Sequence, residues 1–256
     1  MRNNLVREKL RNNEPTIGCA MGLGSPNVAE LLATAGFDWL VIETEHNGLD
    51  SAEVEHMLRA MNGSETIPLV RIPSSDQVFI QRALDTGAMG IVVPMVRTAR
   101  EAEAIVRATR YPPQGIRSFG PLRASRYGMD NEDYFNRVNE NILVVLILET
   151  KEAVQNLEAI CAVPGVDVVY IGPYDLCLSL GLNPMRQPYR EIDDVLENML
   201  RVREKTRVAL GIGVSNAEQL GNRQAQGFTY LNYNSDYRFL SATAQAAVAA
   251  FKERAG

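Results

Sequence analysis

Residues 142–181 read ILVVLILETKEAVQNLEAICAVPGVDVVYIGPYDLCLSLG, and this stretch restricts the fold more than any other. It opens and closes on short apolar runs, residues 142–148 and 166–171, that are rich in Val and Ile and do not alternate with polar residues. Between them lies an amphipathic segment with Ala153, Leu157 and Ile160 on one face. Strands apolar on both faces belong to parallel sheets covered by helices. Parallel neighbours need a crossover connection, and in such units it is right-handed. The stretch is therefore predicted to be strand, helix, strand.

The same alternation runs through the chain. Further strands are predicted at residues 16–21, 37–42, 67–72, 90–96, 208–214 and 230–233. Helices are predicted at 4–12, 27–35, 52–62, 77–85, 99–110, 132–139, 192–205, 218–226 and 240–252. The rhythm breaks once, at residues 111–127, YPPQGIRSFGPLRASRY, whose Pro, Gly and Arg punctuation reads as a long ordered loop. Eight strand–helix units in 256 residues, with no compositional break for a linker, predict a single domain over residues 1–256, a TIM (β/α)8 barrel. The competing arrangement is an open, doubly wound sheet.

Composition closes off several functions. The net charge is −5 and no basic run exceeds two adjacent residues, which excludes an electrostatic footprint for nucleic acid or an anionic membrane. No apolar stretch approaches the length of a membrane span. The first residues, MRNNLVREKLRNNEP, lack the apolar core of a signal peptide, and Cys19, Cys161 and Cys177 have no CxxC spacing. Reduced thiols and a cytoplasmic location are expected, with Cys161 and Cys177 as small buried apolar residues.

Barrel chemistry resides at the carboxyl ends of the strands. Those positions carry His46, Arg71, Glu149 and Asp175. Each acid alone has an ordinary reading: Glu149 as a first-turn acid facing a helix dipole, Gly172-Pro173-Tyr174-Asp175 as a turn ending in a helix cap. On adjacent strands, however, they emerge at one rim, close enough to repel unless a positive charge separates them. A hard carboxylate pair without a Cys or His ligand pattern suits a divalent metal ion, Mg²⁺ or Mn²⁺, with Co²⁺ a further option, and not structural zinc. His46 lies in a polar setting, whereas His56 falls within a helix as a surface or packing residue. The glycines at 22 and 24 do not complete a dinucleotide fingerprint, because Asn27 stands where the third glycine belongs.

At these positions the chain resembles the HpcH/HpaI aldolases, metal-dependent class II enzymes acting on pyruvate and related 2-oxo acids. The resemblance runs through AGFDWLVIETEH (35–46), IPLVRIP (67–73), IVVPMVRTAREA (91–102), RYPPQGIRSFGP (110–121), LETKEAVQNLEAI (148–160) and VDVVYIGPYDLCLSLG (166–181). It implies Glu149 and Asp175 as metal ligands, His46 as acid/base and Arg71 on the substrate's keto oxygen. It also implies Asp85 as an acid assisting the histidine from a neighbouring subunit, and the backbone N–H groups of Tyr174 and Asp175 as a carboxylate cradle. A homo-oligomer is implied, a hexamer or trimer of dimers whose C-terminal helices exchange between subunits. Two departures stand out. Ile147 occupies a position where the family usually shows Gln, so an altered metal shell is expected. The segment holding Arg117, Arg123 and Arg126 also differs from the family's glycine-rich version, which bears on the acceptor.

The implied activity is cleavage or formation of a 4-hydroxy-2-oxo acid, with a small 2-oxo acid and an aldehyde as partners, through a metal-stabilised enolate. No lysine stands at a strand end to form a Schiff base, Lys151 lying beyond Glu149. The alternative is carbon–carbon chemistry between an oxo acid and an acyl-CoA, as in citrate-lyase-like or citrate-synthase-like enzymes. A non-catalytic oxo-acid binding protein is the weakest reading, having no use for His46.

Overall fold

The computed structural model describes residues 1–255. Eight parallel strands close into a barrel in sequence order: β1 (Thr16–Met21), β2 (Trp39–Glu43), β3 (Ile67–Arg71), β4 (Gly90–Val93), β5 (Leu143–Leu148), β6 (Val168–Ile171), β7 (Ala209–Val214) and β8 (Tyr230–Ser235). Pairing of β1 with β8, from Thr16 opposite Tyr230 onward, removes both sheet edges and rules out the open doubly wound sheet. Around the barrel run α1 (Leu5–Arg11), α2 (Pro26–Thr34), α3 (Ser51–Ala60), α4 (Gln77–Asp85), α5 (Ala99–Thr109), α6 (Asn131–Asn141), α7 (Lys151–Gln155), α8 (Leu157–Cys161), α9 (Pro173–Ser179), α10 (Arg190–Thr206), α11 (Ala217–Gln226) and α12 (Asp236–Ala255). None of the described helices is long and apolar enough to cross a membrane.

Alternation along each strand divides the buried residues into two bodies. Outward-facing residues such as Ile42, Val70, Ile91, Leu146 and Val169 pack under the helices, while Val41, Leu69, Val92, Val145 and Val168 fill the barrel interior. α1 closes the amino end of that interior with Val6 and Leu10. Large aromatic residues occupy the middle of the barrel. Trp39 stacks on Tyr230 at 3.9 Å between ring centroids, and Tyr170 meets Tyr230 edge-on at 6.3 Å. Room for them comes from glycine on the facing strands: a Cβ on Gly18 would stand 2.0 Å from the Trp39 ring, and one on Gly211 would stand 2.7 Å from Tyr170. The barrel is thus plugged by side chains, and only its carboxyl rim is left open for chemistry.

The differences from the sequence reading have local causes. β4 ends at Val93 rather than at residue 96, because Pro94 cannot donate to the ladder and Met95 turns through a left-handed conformation at φ 57°. The segment after β5 is two short helices divided at Asn156, although Ala153, Leu157 and Ile160 are buried together as expected. Gly172-Pro173-Tyr174-Asp175 is not a turn: it opens α9, with Pro173 in the first helical turn, where its missing N–H costs nothing. All three cysteines are free and buried.

The interior glycines are testable. Gly18→Ala is expected to lower stability by about 1–3 kcal/mol through overpacking against Trp39, which is a fall in melting temperature of roughly 2–10 °C for a chain of this size. An unchanged thermal melt would show that the barrel wall can give way without cost.

Candidate active site

At the carboxyl end of β5, Glu149 is only 3% exposed. A lone buried carboxylate is costly, and three features make this one tolerable. The Met95 N–H, presented by the left-handed turn after β4, donates to Glu149 Oε1 at 2.7 Å. Arg71 lies within electrostatic reach. Gly172 leaves space, since a Cβ there would stand 2.6 Å from Oε2. The compensation is incomplete. Burial pushes the Glu149 carboxyl up, the Met95 N–H and Arg71 pull it down, Asp175 and Glu45 push it up again, and the net value is about 7.

Asp175, exposed in the first turn of α9, faces the same space and acts electrostatically on both Glu149 and Glu45. No side chain caps α9, so the N–H groups of Tyr174 and Asp175 lack intrahelical partners at the rim. Arg71 ends β3 directly opposite Glu43 on β2. Its Nη1 donates to Glu43 Oε2 at 3.0 Å and its Nη2 pairs with Glu45, while Nε is buried without a hydrogen-bond partner. Glu43 Oε1 in turn accepts from the N–H groups of Glu45 and His46 at 2.7 and 3.2 Å, and so shapes the loop that carries the histidine. His46 Nε2 lies 3.4 Å from Glu45 Oε2, and the imidazole is 62% exposed to the mouth.

The structure thus brings Glu149, Asp175, Arg71 and His46 to one mouth and leaves Asp85 elsewhere. Asp85 closes α4, a helix that runs back toward the amino end of the barrel. There it accepts from Arg117 at 2.7 Å, and Arg117 is enclosed by the rings of Tyr111 and Tyr134. Arg123 donates to the Thr86 carbonyl and Arg126 pairs with Asp130 on the same side. Within the chain these residues are engaged with one another and with Thr86 and Asp130, away from the mouth. Sequence reasoning passed over Glu43, Glu45 and Met95. Glu43 was findable, because alternation along β2 puts Trp39, Val41 and Glu43 on one interior face. The Met95 N–H has no sequence signal beyond the Pro94-Met95 step.

Four carboxylates, Glu43, Glu45, Glu149 and Asp175, share this rim with one guanidinium, Arg71. Arg71 is already taken up by Glu43 and Glu45, which leaves Glu149 and Asp175 in need of a cation. Among the described residues no group of three or more His, Cys, Asp or Glu side chains is arranged to hold a metal ion. Two carboxylates with water or substrate oxygens completing the shell are the usual protein share for Mg²⁺, so the residues present fit a hard divalent ion.

Ile147 lies two residues below Glu149, only 4% exposed, among the barrel-filling side chains with Tyr230 and Tyr170. It is packed core. An amide there would be buried without a built partner, and Ile147→Gln is expected to lower the melting temperature by roughly 2–10 °C, from a cost of about 1–3 kcal/mol. A Gln variant that keeps its melting temperature and binds divalent ion more tightly would reverse this assignment. Glu149 gives a second test. Its carboxyl is raised from 4.5 to about 7, so the folded state binds the proton more tightly than the unfolded state. The associated stability is present below pH 4.5 and lost as pH rises through 7. Metal-free protein should therefore lose about 2–4 kcal/mol between pH 5 and 8, and Glu149→Gln should flatten that slope in denaturant titrations.

Similarity to known proteins extends over nearly the whole chain. The family model HpcH/HpaI aldolase/citrate lyase matches residues 17–241. A 4-hydroxy-2-oxo-heptane-1,7-dioate aldolase from Klebsiella pneumoniae is 39% identical over 99% of this chain and 96% of its own length. A hydroxypyruvate/pyruvate aldolase from Deinococcus radiodurans is 37% identical over 98% and 91%. Among solved structures, the citrate synthase SbnG superposes with a TM-score of 0.85 at 28% identity, covering 97% of this chain and 98% of that one. With the family pattern matched from β1 into α12, the chain belongs to the HpcH/HpaI aldolase/citrate lyase family.

Proposed function

We propose that this protein is a divalent-metal-dependent aldolase that cleaves or forms 4-hydroxy-2-oxo acids, with pyruvate or a related 2-oxo acid and an aldehyde as the smaller partners. The observation that carries this reading is the convergence of Glu149, Asp175, Arg71 and His46 on one barrel mouth, the first two without an ion-pair partner among the described residues. A divalent ion held by Glu149 and Asp175 would supply Lewis-acid stabilisation for negative charge on the oxo acid.

The chain's own residues divide the remaining work. His46, exposed to the mouth, takes the proton from the C4 hydroxyl, directly or through water. The C3–C4 bond breaks, its electron pair passes into the oxo acid as an enolate, and the aldehyde departs with the former hydroxyl oxygen as its carbonyl. Arg71, fixed by Glu43 and Glu45, places fixed positive charge beside the oxygen that becomes negative, without reorganising during the step. The open N–H groups of Tyr174 and Asp175 suit the substrate carboxylate. Protonation of the enolate at C3 then gives the 2-oxo acid. The family's citrate-lyase side and the citrate synthase likeness support a second reading, joining of an oxo acid to an acyl-CoA.

We also read the chain as one domain that assembles into a homo-oligomer. α12 carries Leu240, Val248 and Phe251 outward, and the Asp85–Arg117 pair stands apart from this chain's own mouth, which supports a role for Asp85 at a neighbouring copy. Burial pushes the Asp85 carboxyl up against the pull of Arg117.

Activity, metal-binding, proton-exchange and subunit-mixing measurements test this. Pyruvate release from a panel of 4-hydroxy-2-oxo acids should be abolished by EDTA and restored by Mg²⁺ or Mn²⁺. Glu149→Gln and Asp175→Asn should each lose metal affinity and turnover while staying folded, and full activity of either in chelator would refute the metal assignment. An acyl-CoA-dependent product with no aldehyde released would favour the second reading. His46→Ala should lose cleavage by about two to four orders of magnitude yet keep pyruvate methyl-proton exchange with deuterated solvent, whereas Arg71→Ala should lose both. Finally, mixing the inactive His46→Ala and Asp85→Asn proteins under subunit exchange should regenerate activity if Asp85 serves a neighbouring site, and no recovery would confine Asp85 to folding.

A further inference from the structure

Tyr170 is a large polar side chain of the barrel interior that the mechanism above leaves unused. Alternation along β6 turns Val168 and Tyr170 inward, and Tyr170 sits in register with Ile147 on β5 and Gly211 on β7. Its ring crosses Gly211, where a Cβ would stand 2.7 Å from Cδ2, and its hydroxyl reaches Gly213, where a Cβ would stand 2.9 Å away. Gly213 lies two residues nearer the carboxyl rim than Gly211, so the two glycines form a slot along β7 that tips the phenol toward the mouth. The side chain of Asn232, in register with Gly213 on β8, lies within reach of the hydroxyl.

The surroundings of this hydroxyl are those of a ligand site rather than of packing. Tyr170 is only half-buried, whereas Ile147 across the register is packed away. Tyr230, also in register with Gly211, meets the ring edge-on at 6.3 Å and leaves Tyr170 partly accessible. Arg71 and Glu149 both lie within electrostatic reach of the phenol, and the buried Arg71 Nε–H has no acceptor among the described residues. Burial pushes the phenol up to about 12, so it stays a protonated donor across the physiological range.

We propose that Tyr170 contacts substrate: its hydroxyl, held over Gly213 by Asn232, donates a hydrogen bond to the oxo-acid oxygen that gains charge as the enolate forms. The inference rests on the aldolase reading for the identity of that oxygen. It also accounts for an apolar Ile147 beside the mouth, because the polar contact at this level comes from β6 instead of β5.

Tyr170→Phe keeps the ring and removes the donor. The probe is oxalate, a planar dianion shaped like the enolate of pyruvate, titrated calorimetrically with Mn²⁺ present, alongside pyruvate binding and pyruvate methyl-proton exchange. A hydrogen bond to a charged acceptor corresponds to roughly 10- to 100-fold, so oxalate affinity and exchange should fall by about that factor. Pyruvate affinity should fall less, and the melting temperature should hold. Asn232→Ala, which leaves the hydroxyl in place but unheld, should give a smaller loss in the same order. Unchanged oxalate affinity and exchange in Tyr170→Phe would overturn the proposal and leave the aldolase reading standing. Equal loss of oxalate and pyruvate binding with a lowered melting temperature would make Tyr170 packing and overturn it as well. Selective loss of oxalate binding, in a protein whose wild type neither exchanges nor cleaves, would uphold Tyr170 as an oxo-acid contact and overturn the aldolase reading. Absence of oxalate binding in the wild type would overturn both.

Discussion

Glu149 is a carboxylate placed where carboxylates are expensive, at the buried carboxyl end of β5, and most of the mouth can be understood as compensation for it. The left-handed turn at Met95 delivers a backbone N–H to one oxygen, Gly172 stands back from the other, and Arg71 supplies positive charge nearby. These do not suffice, because Arg71 is itself divided between Glu43 and Glu45 while Asp175 adds a further negative charge. The residual imbalance is the physical argument for the cation proposed at this rim. The same arrangement fixes the guanidinium in place: an arginine bracketed by two carboxylates loses little freedom on meeting a substrate, which is the preorganisation that electrostatic catalysis requires.

Beneath this charged rim the barrel is filled. Trp39, Tyr230 and Tyr170 interlock with Gly18, Gly211 and Gly213. Large residues opposite small ones give a rigid floor, and a rigid floor holds strand-end side chains in position while the loops above them differ. Ile147 belongs to this floor, so the apolar residue two positions below Glu149 is a packing element. Tyr170 stands at the same level, in register with Ile147, and its ring shares in the packing.

Much of this was legible in the sequence, for identifiable reasons. Apolar runs without alternation demand burial on both faces, so the eight strands and the closed α/β fold could be anticipated, with β1 and α4 recovered to the residue. The strand-end residues His46, Arg71, Glu149 and Asp175 could be named because position at a strand's carboxyl end is a one-dimensional property. α9 was hidden because its first residues resemble a turn, and the break at Asn156 because Ala153, Leu157 and Ile160 keep one face on both sides of it.

What the sequence by itself determined is the identity and order of the groups: which strands carry acids, where the histidine stands, which runs are buried. What only the tertiary structure decided is which groups share charge. Glu43 and Glu45 clamp Arg71, the Met95 N–H serves Glu149 across a gap of 54 residues, and Asp85 ends on the far face beside Arg117. The physical reason is that alternation and propensity act over a few residues along the chain. Electrostatic and hydrogen-bond partnerships depend instead on strand register and on which rim a connection faces, and closure of the barrel sets both.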